Sequence, residues 1–221
     1  KMRVFNQDGS EGEMAGNSIR CVAKYLYDKG FVDKTSITIE TKSGIKSLKL
    51  YTRGNKVSSV SVDMGKEELA PEKIPVNLPG DNVIGRSVNI GGEEYDITCV
   101  GVGNPHCVVF CGRVDDVDVE SVGPQFEFSD IFPERVNTEF VRVVNEHTLK
   151  MRVWERGNGE TMACGTGACA AVVAAVLRGY CKKGEDITVK LKGGDLVVNY
   201  GDDGITLTGT AHLVYEGETE F

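Results

Sequence analysis

Apolar and polar residues alternate along 150–155 (KMRVWE), the pattern of a half-buried strand, and residues 165–176 (GTGACAAVVAAV) are then rich in small helix formers. Between them lies a glycine-rich turn closed by Cys164, so the spacing predicts a strand, a turn and a helix that opens just after a thiol. Ile19, Val22, Ala23 and Leu26 fall at helical spacing after Asn17-Ser18, and Gly30 is placed to end that helix. Alternating runs at 36–41, 47–51 and 56–62, separated by Ser43-Gly44 and Gly54-Asn55, predict strands joined by tight turns. Residues 71–80, with Pro71, Pro75 and Pro79, read as an extended connector. Further strands are predicted at 88–90, 95–100, 107–110 and 138–144, with a short surface helix in the acidic segment 115–120 and a closing meander at 187–191, 196–200 and 205–210. Many antiparallel strands with one long helix in each half predict an α+β protein in which each sheet wraps its own helix.

The strand-turn-helix unit occurs twice. Residues 1–17 align with 150–166 at a constant offset of 149, and Lys1, Met2, Arg3, Val4, Glu11 and Gly16 match Lys150, Met151, Arg152, Val153, Glu160 and Gly165. Phe5 faces Trp154, and opposite Cys164 stands Ala15. Such duplication most simply gives two pseudo-symmetric lobes facing a shared site, here residues 1–82 and 83–221, with the last strand free to return to the first lobe. Lys1 opens directly on its strand, whereas the matching strand at Lys150 follows a long stretch of its own lobe. The expectation is therefore a first lobe without its beginning.

With 221 residues the chain has ample length for packed cores, and its net charge of −8 with dispersed basic residues argues against nucleic acid or an anionic membrane as partner. A small molecule is the expected partner. No apolar run approaches a membrane span and residues 1–20 lack the apolar core of a signal peptide, which makes a cytoplasmic location the default. The seven cysteines are odd in number and form no C-x-x-C, so they read as reduced thiols. His106, Cys107 and Cys111 have no second ligand pair at zinc-like spacing, and no phosphate-binding glycine loop is present; neither metal nor cofactor is expected.

A thiol at a helix start lies where unpaired backbone N–H groups and the helix dipole favour an anion, which predicts a Cys164 pKa lowered from about 8.5. The plainer reading is a small buried residue in a tight turn. Gly159, Gly165 and Gly167 would let a ligand approach the backbone closely. Glu155-Arg156 ends the strand beneath the turn, where a charged pair can hold an amine and a carboxylate, or can simply be solvated surface. Asn6 is the repeat partner of Glu155, and Asn104 and Asn137 lie at turn-strand junctions.

The stretches GSEGEM-x-GNSIRC, VDMG (62–65), GNPHCVVF (103–110), RVNTEFVRVV (135–144) and WERGNGETMACGTGACAA (154–171) together resemble diaminopimelate epimerase over essentially the whole chain. The resemblance implies two lobes closing over the substrate, a homodimer, and cofactor-independent interconversion of LL- and meso-diaminopimelate for lysine and peptidoglycan synthesis. It implies two catalytic cysteines acting as base and acid on opposite faces of the α-carbon. One is Cys164; the other falls on Ala15, natural or engineered. It further implies that Gly165-Thr166 and Gly16-Asn17 hold the α-carboxylate, that Asn6, Asn104, Asn137, Glu155 and Arg156 contact substrate, and that His106 supports the site near Glu155. Since one thiol performs half of a two-base inversion, the expected activity is severely impaired. A one-base isomerase or an amino-acid-binding paralogue of the same fold are the alternatives.

Overall fold

Alternation of apolar and polar residues sets the strands in the computed structural model, which describes residues 1–5, 9, 11, 12 and 15–218. The chain divides into two compact units, 1–62 with 208–221, and 63–207.

In the first unit, β1 (Val4–Phe5) pairs antiparallel with β2 (Glu11–Gly12), and α1 (Gly16–Asp28) follows. An antiparallel run β3 (Ser36–Thr41), β4 (Gly44–Arg53) and β5 (Lys56–Gly65) completes it, with α1 packed on β4 through the buried Ile19 and Ala23. Residues 208–221 join this unit: Thr208 and Ser61 share a hydroxyl hydrogen bond of 2.6 Å, and Lys29 pairs with Glu216.

The second unit contains β6 (Arg86–Ile90), β7 (Glu93–Gly101), β8 (Pro105–Phe110), a 3₁₀ turn (Val114–Asp116), α2 (Val119–Glu127), β9 (Asn137–Asn145), β10 (Thr148–Glu155), β11 (Gly159–Thr161), α3 (Gly165–Leu177), β12 (Asp186–Leu191) and β13 (Gly194–Gly201). β14 (Gly204–Thr210) closes the chain's regular structure. Strand order from β13 is β12, β10, β9, β8, β7, β6, with β11 added to β10. The sheet is not wholly antiparallel as the pattern predicted. β8 runs parallel to β9, and β10 parallel to β12, because a helix carries the chain back between each pair. The acidic segment also differs: it splits into the 3₁₀ turn and the start of α2, which Asp118 caps by accepting from Ser121 N–H.

α3 is the centre of this unit. Its Ala and Val residues from Ala168 to Ala175 are all buried, and it packs on β7, β8, β9, β10, β12 and β13, as a helix that is apolar on every side requires. Residues 71–80, read from sequence as a connector within the first lobe, instead lie in the second unit, where Ile74 and Val76 pack with Val83, Ile97, Phe126 and Phe140. Apolar residues between the prolines draw the segment onto that core.

Local geometry repeats at the offset of 149. Val4 pairs with Gly12 as Val153 does with Thr161, and Phe5 with Glu11 as Trp154 does with Glu160. α1 and α3 each span 13 residues, and their N-caps, Ala15 and Cys164, share an extended backbone (φ −131°, ψ 112° and φ −121°, ψ 116°). Both helices end on a glycine at positive φ, Gly30 at 78° and Gly179 at 75°, where a side chain would be strained.

Candidate active site

Cys164 caps α3 with its sulphur, which accepts the Gly167 N–H at 3.3 Å and lies 3.5 Å from Thr166 Oγ1. The side chain is buried, and burial pushes its thiol up to about 12, with the Glu155 and Glu139 carboxylates adding to the rise. The helix-start contacts oppose this and lose. The lowered pKa expected from the helix terminus is therefore corrected: desolvation and two nearby carboxylates outweigh the one N–H and one hydroxyl that favour thiolate.

Glu155 ends β10 and accepts from Thr161 Oγ1 at 2.5 Å across the β10–β11 hairpin. Its position is fixed from below by Glu127, a buried residue of α2 that the sequence reading passed over. Glu127 accepts Trp154 Nε1–H at 2.7 Å and Gly157 N–H at 2.9 Å, so one carboxylate pins both sides of Glu155-Arg156. Gly123 gives Trp154 its place, because a Cβ there would stand 2.3 Å from the indole.

Asn137 opens β9 with both ends of its side chain bonded: Nδ2 donates to Pro105 O at 2.8 Å and Oδ1 accepts the Arg156 N–H at 2.9 Å. It thus ties the start of β8 to the residue after Glu155. Arg156 Nη1 donates to Glu134 O at 3.0 Å. Asn104 presents Oδ1 to His106 Nε2 at 2.8 Å, and His106 Nδ1 meets Glu139 Oε1 at 2.7 Å. His106 therefore bonds Glu139, a carboxylate that bears on Cys164 together with Glu155. Glu139 lies in the apolar stretch of β9, and no sequence signal marked it apart from a carboxylate among buried strand residues.

The protein's own packing also requires Gly167 to be bare. A Cβ at this position would stand 2.6 Å from Glu139 Oε1 and 3.2 Å from Cys164 Sγ, so the missing side chain makes room for the carboxyl and the thiol.

In the first unit, Ala15 caps α1 without a side-chain bond, Gly16 is buried, and Asn17 Oδ1 accepts from Arg20 Nη1 at 3.1 Å. Asn6 lies outside the described residues. Among the described residues, no three His, Cys, Asp or Glu side chains are grouped to hold a metal, and no helix is long and apolar enough to cross a membrane.

The fold is one shared with structures described as racemases, epimerases and phenazine-biosynthesis proteins. A probable proline racemase from Agrobacterium radiobacter superposes with a TM-score of 0.71 at 15% identity, covering 94% of this chain and 68% of its own. A PhzF-family protein from Bacillus anthracis gives 0.64 at 18% identity, over 94% and 76%. The chain itself belongs to the diaminopimelate epimerase family, whose model matches residues 1–70 and 98–214. Diaminopimelate epimerases of Acetivibrio thermocellus and Methanococcus maripaludis are each 50% identical to it over an alignment of 222 positions that covers all of this chain and 79% of theirs.

Proposed function

We propose that this chain acts on diaminopimelate at its α-carbon, with Cys164 as the thiol that exchanges the α-proton and Ala15 standing where a second thiol would complete inversion. The observation that carries this reading is the Cys164 sulphur at the N-cap of α3, at the N-terminus of a buried helix and within the influence of Glu155. Gly165 and Thr166 offer backbone N–H groups to an α-carboxylate, and Gly16 and Asn17 do the same at the start of α1. Glu155 suits the substrate ammonium, and a cation there offsets the carboxylates that hold the thiol protonated.

Arg156 uses one guanidinium nitrogen on Glu134 O, which leaves others for a distal carboxylate, with Asn104 and Asn6 as further contacts. Asn137 contributes by fixing the Arg156 backbone. No cofactor is called for: as thiolate the sulphur takes the α-proton from the face it adjoins, leaving the carbanion, and as thiol it gives a proton back to that face.

Inversion needs a proton removed from one face and delivered to the other, and the Ala15 methyl does neither. Epimerisation by this chain is accordingly expected to be severely impaired. The same Ala15 favours a second reading, a one-base isomerase or amino-acid-binding paralogue working with Cys164 alone. Proton NMR in D₂O with LL- and meso-diaminopimelate tests both. Loss of the α-proton signal without the other isomer supports one working thiol on this substrate; full inversion overturns the impairment; no exchange from either isomer, with binding intact, leaves the binding reading.

A further inference from the structure

Glu139 has no place in the reaction as set out above, yet it is a costly residue to bury. It is fully buried, its neighbours in register on β8 and β10 are Val108 and Val153, and its Oε2 has no hydrogen-bond partner among the described residues. A buried carboxyl with an unsatisfied oxygen destabilises a fold that a valine would stabilise, so its presence points to the site rather than to the core.

Two features aim it. Gly167 supplies the gap that carboxyl and thiol both line: a single Cβ there would crowd Glu139 Oε1 and Cys164 Sγ together. His106 supplies the orientation. With Asn104 Oδ1 accepting from Nε2–H, the Nδ1 side is left to share one proton with Glu139 Oε1, and the pair is net neutral wherever that proton sits. The end of this pair that borders Gly167 is the carboxyl oxygen.

We propose that Glu139 is a positioning residue for Cys164, its carboxyl seated across Gly167 and steered by His106 so that the sulphur stays a thiol until a cationic group enters the site. This rests on Cys164 being the reactive thiol. The groups that bear on the pair are Glu155 on β10, His106 and Cys107 on β8, and the Gly167 N–H and Thr166 hydroxyl at the helix start. Glu155 acts in the same direction as Glu139, so removing one leaves the other and the thiol moves part of the way.

The test is a titration of Cys164 by ¹³C NMR in chain carrying ¹³Cβ-cysteine, assigned with Cys164→Ser and followed to pH 10.5. The native thiol is expected to show almost no thiolate at pH 10.5, and Glu139→Gln to raise the thiolate fraction there about tenfold, the equivalent of a midpoint lowered by about one unit. Glu139→Asp, which keeps the carboxyl but withdraws it by one methylene, is expected to shift it less, and it decides the matter if the Gln variant does not fold. A Cys164 curve unchanged in both variants, including no titration in any of them, overturns the proposal. The readout needs no turnover: failure of α-proton exchange with diaminopimelate would sink the proposed reaction and leave this titration standing.

Discussion

Arg152 and Glu160 are joined by two parallel bonds, Nε to Oε1 at 2.7 Å and Nη2 to Oε2 at 3.1 Å, and 149 residues earlier Arg3 and Glu11 are joined through the same atoms at 2.8 and 3.1 Å. Arg152 on β10 is thus tied to β11, and Arg3, just before β1, to β2. The burial of the two pairs differs. Arg152 and Glu160 side chains are 15% and 10% exposed, and Arg152 Nη1 also reaches Val117 O at 2.6 Å, whereas Arg3 is 57% exposed. Arg152→Ala is therefore expected to cost about 2–3 kcal/mol in urea unfolding, and Arg3→Ala much less.

Replacing Ala15 by Cys returns a thiol to an N-cap with the backbone that Cys164 has. If Ala15 is what blocks inversion, this change converts exchange into epimerisation, seen by NMR as the second isomer appearing from either starting compound. Unchanged products from an otherwise folded, binding-competent variant would point to a diverged reaction.

His106→Ala is predicted to destabilise by about 3–5 kcal/mol, because it takes the imidazole from Oε1 of a buried carboxyl whose Oε2 already has no partner among the described residues. Adding Glu139→Ala should recover a good part of that loss. A double-mutant cycle by chemical denaturation measures the coupling, and simple additivity would show that the pair is not a unit.

Asn137→Ala removes the donor to Pro105 O and the acceptor for Arg156 N–H in one step. We expect about 1–3 kcal/mol of lost stability and weaker substrate binding, since the turn that carries Arg156 loses its anchor. Calorimetric titration against thermal unfolding separates the two effects.

Alkaline pH should weaken the fold. Cys164 holds its proton up to about 12 when folded, whereas an unfolded cysteine gives its proton up near pH 8.5. The contribution is thus complete below about pH 8.5 and is lost as pH rises toward 12. Burial pushes Cys107 and Cys181 the same way. Cys164→Ser removes one share, so its stability should fall less steeply between pH 8.5 and 10 than that of the native chain.

The repeat, the strands and both long helices were legible because they rest on period and on turn residues, which act locally. The geometry even outlasts the identities: Lys29 donates its N–H to Tyr25 O as Arg178 does to Ala174 O, with no side chain in common. What escaped was set by distant chain. The Cys164 shift is set first by burial in the packed unit, with Glu155 and then Glu139, 25 positions away on another strand, adding to it, and nothing in GTGA announces it. Parallel pairing of β8 with β9 hung on reading α2 as a crossover, and the packing of 71–80 on the second unit hung on Ile74 and Val76, which proline spacing concealed.

α3 is enclosed on every side, whereas α1 buries only Gly16, Ile19, Arg20 and Ala23. The two copies of one ancestral helix should therefore keep different clocks: amide protons of α3 exchange with solvent only when the whole second unit opens, and those along the outer face of α1 escape through brief local fraying. Duplication copied the shape of the element and left its lifetime to the surroundings.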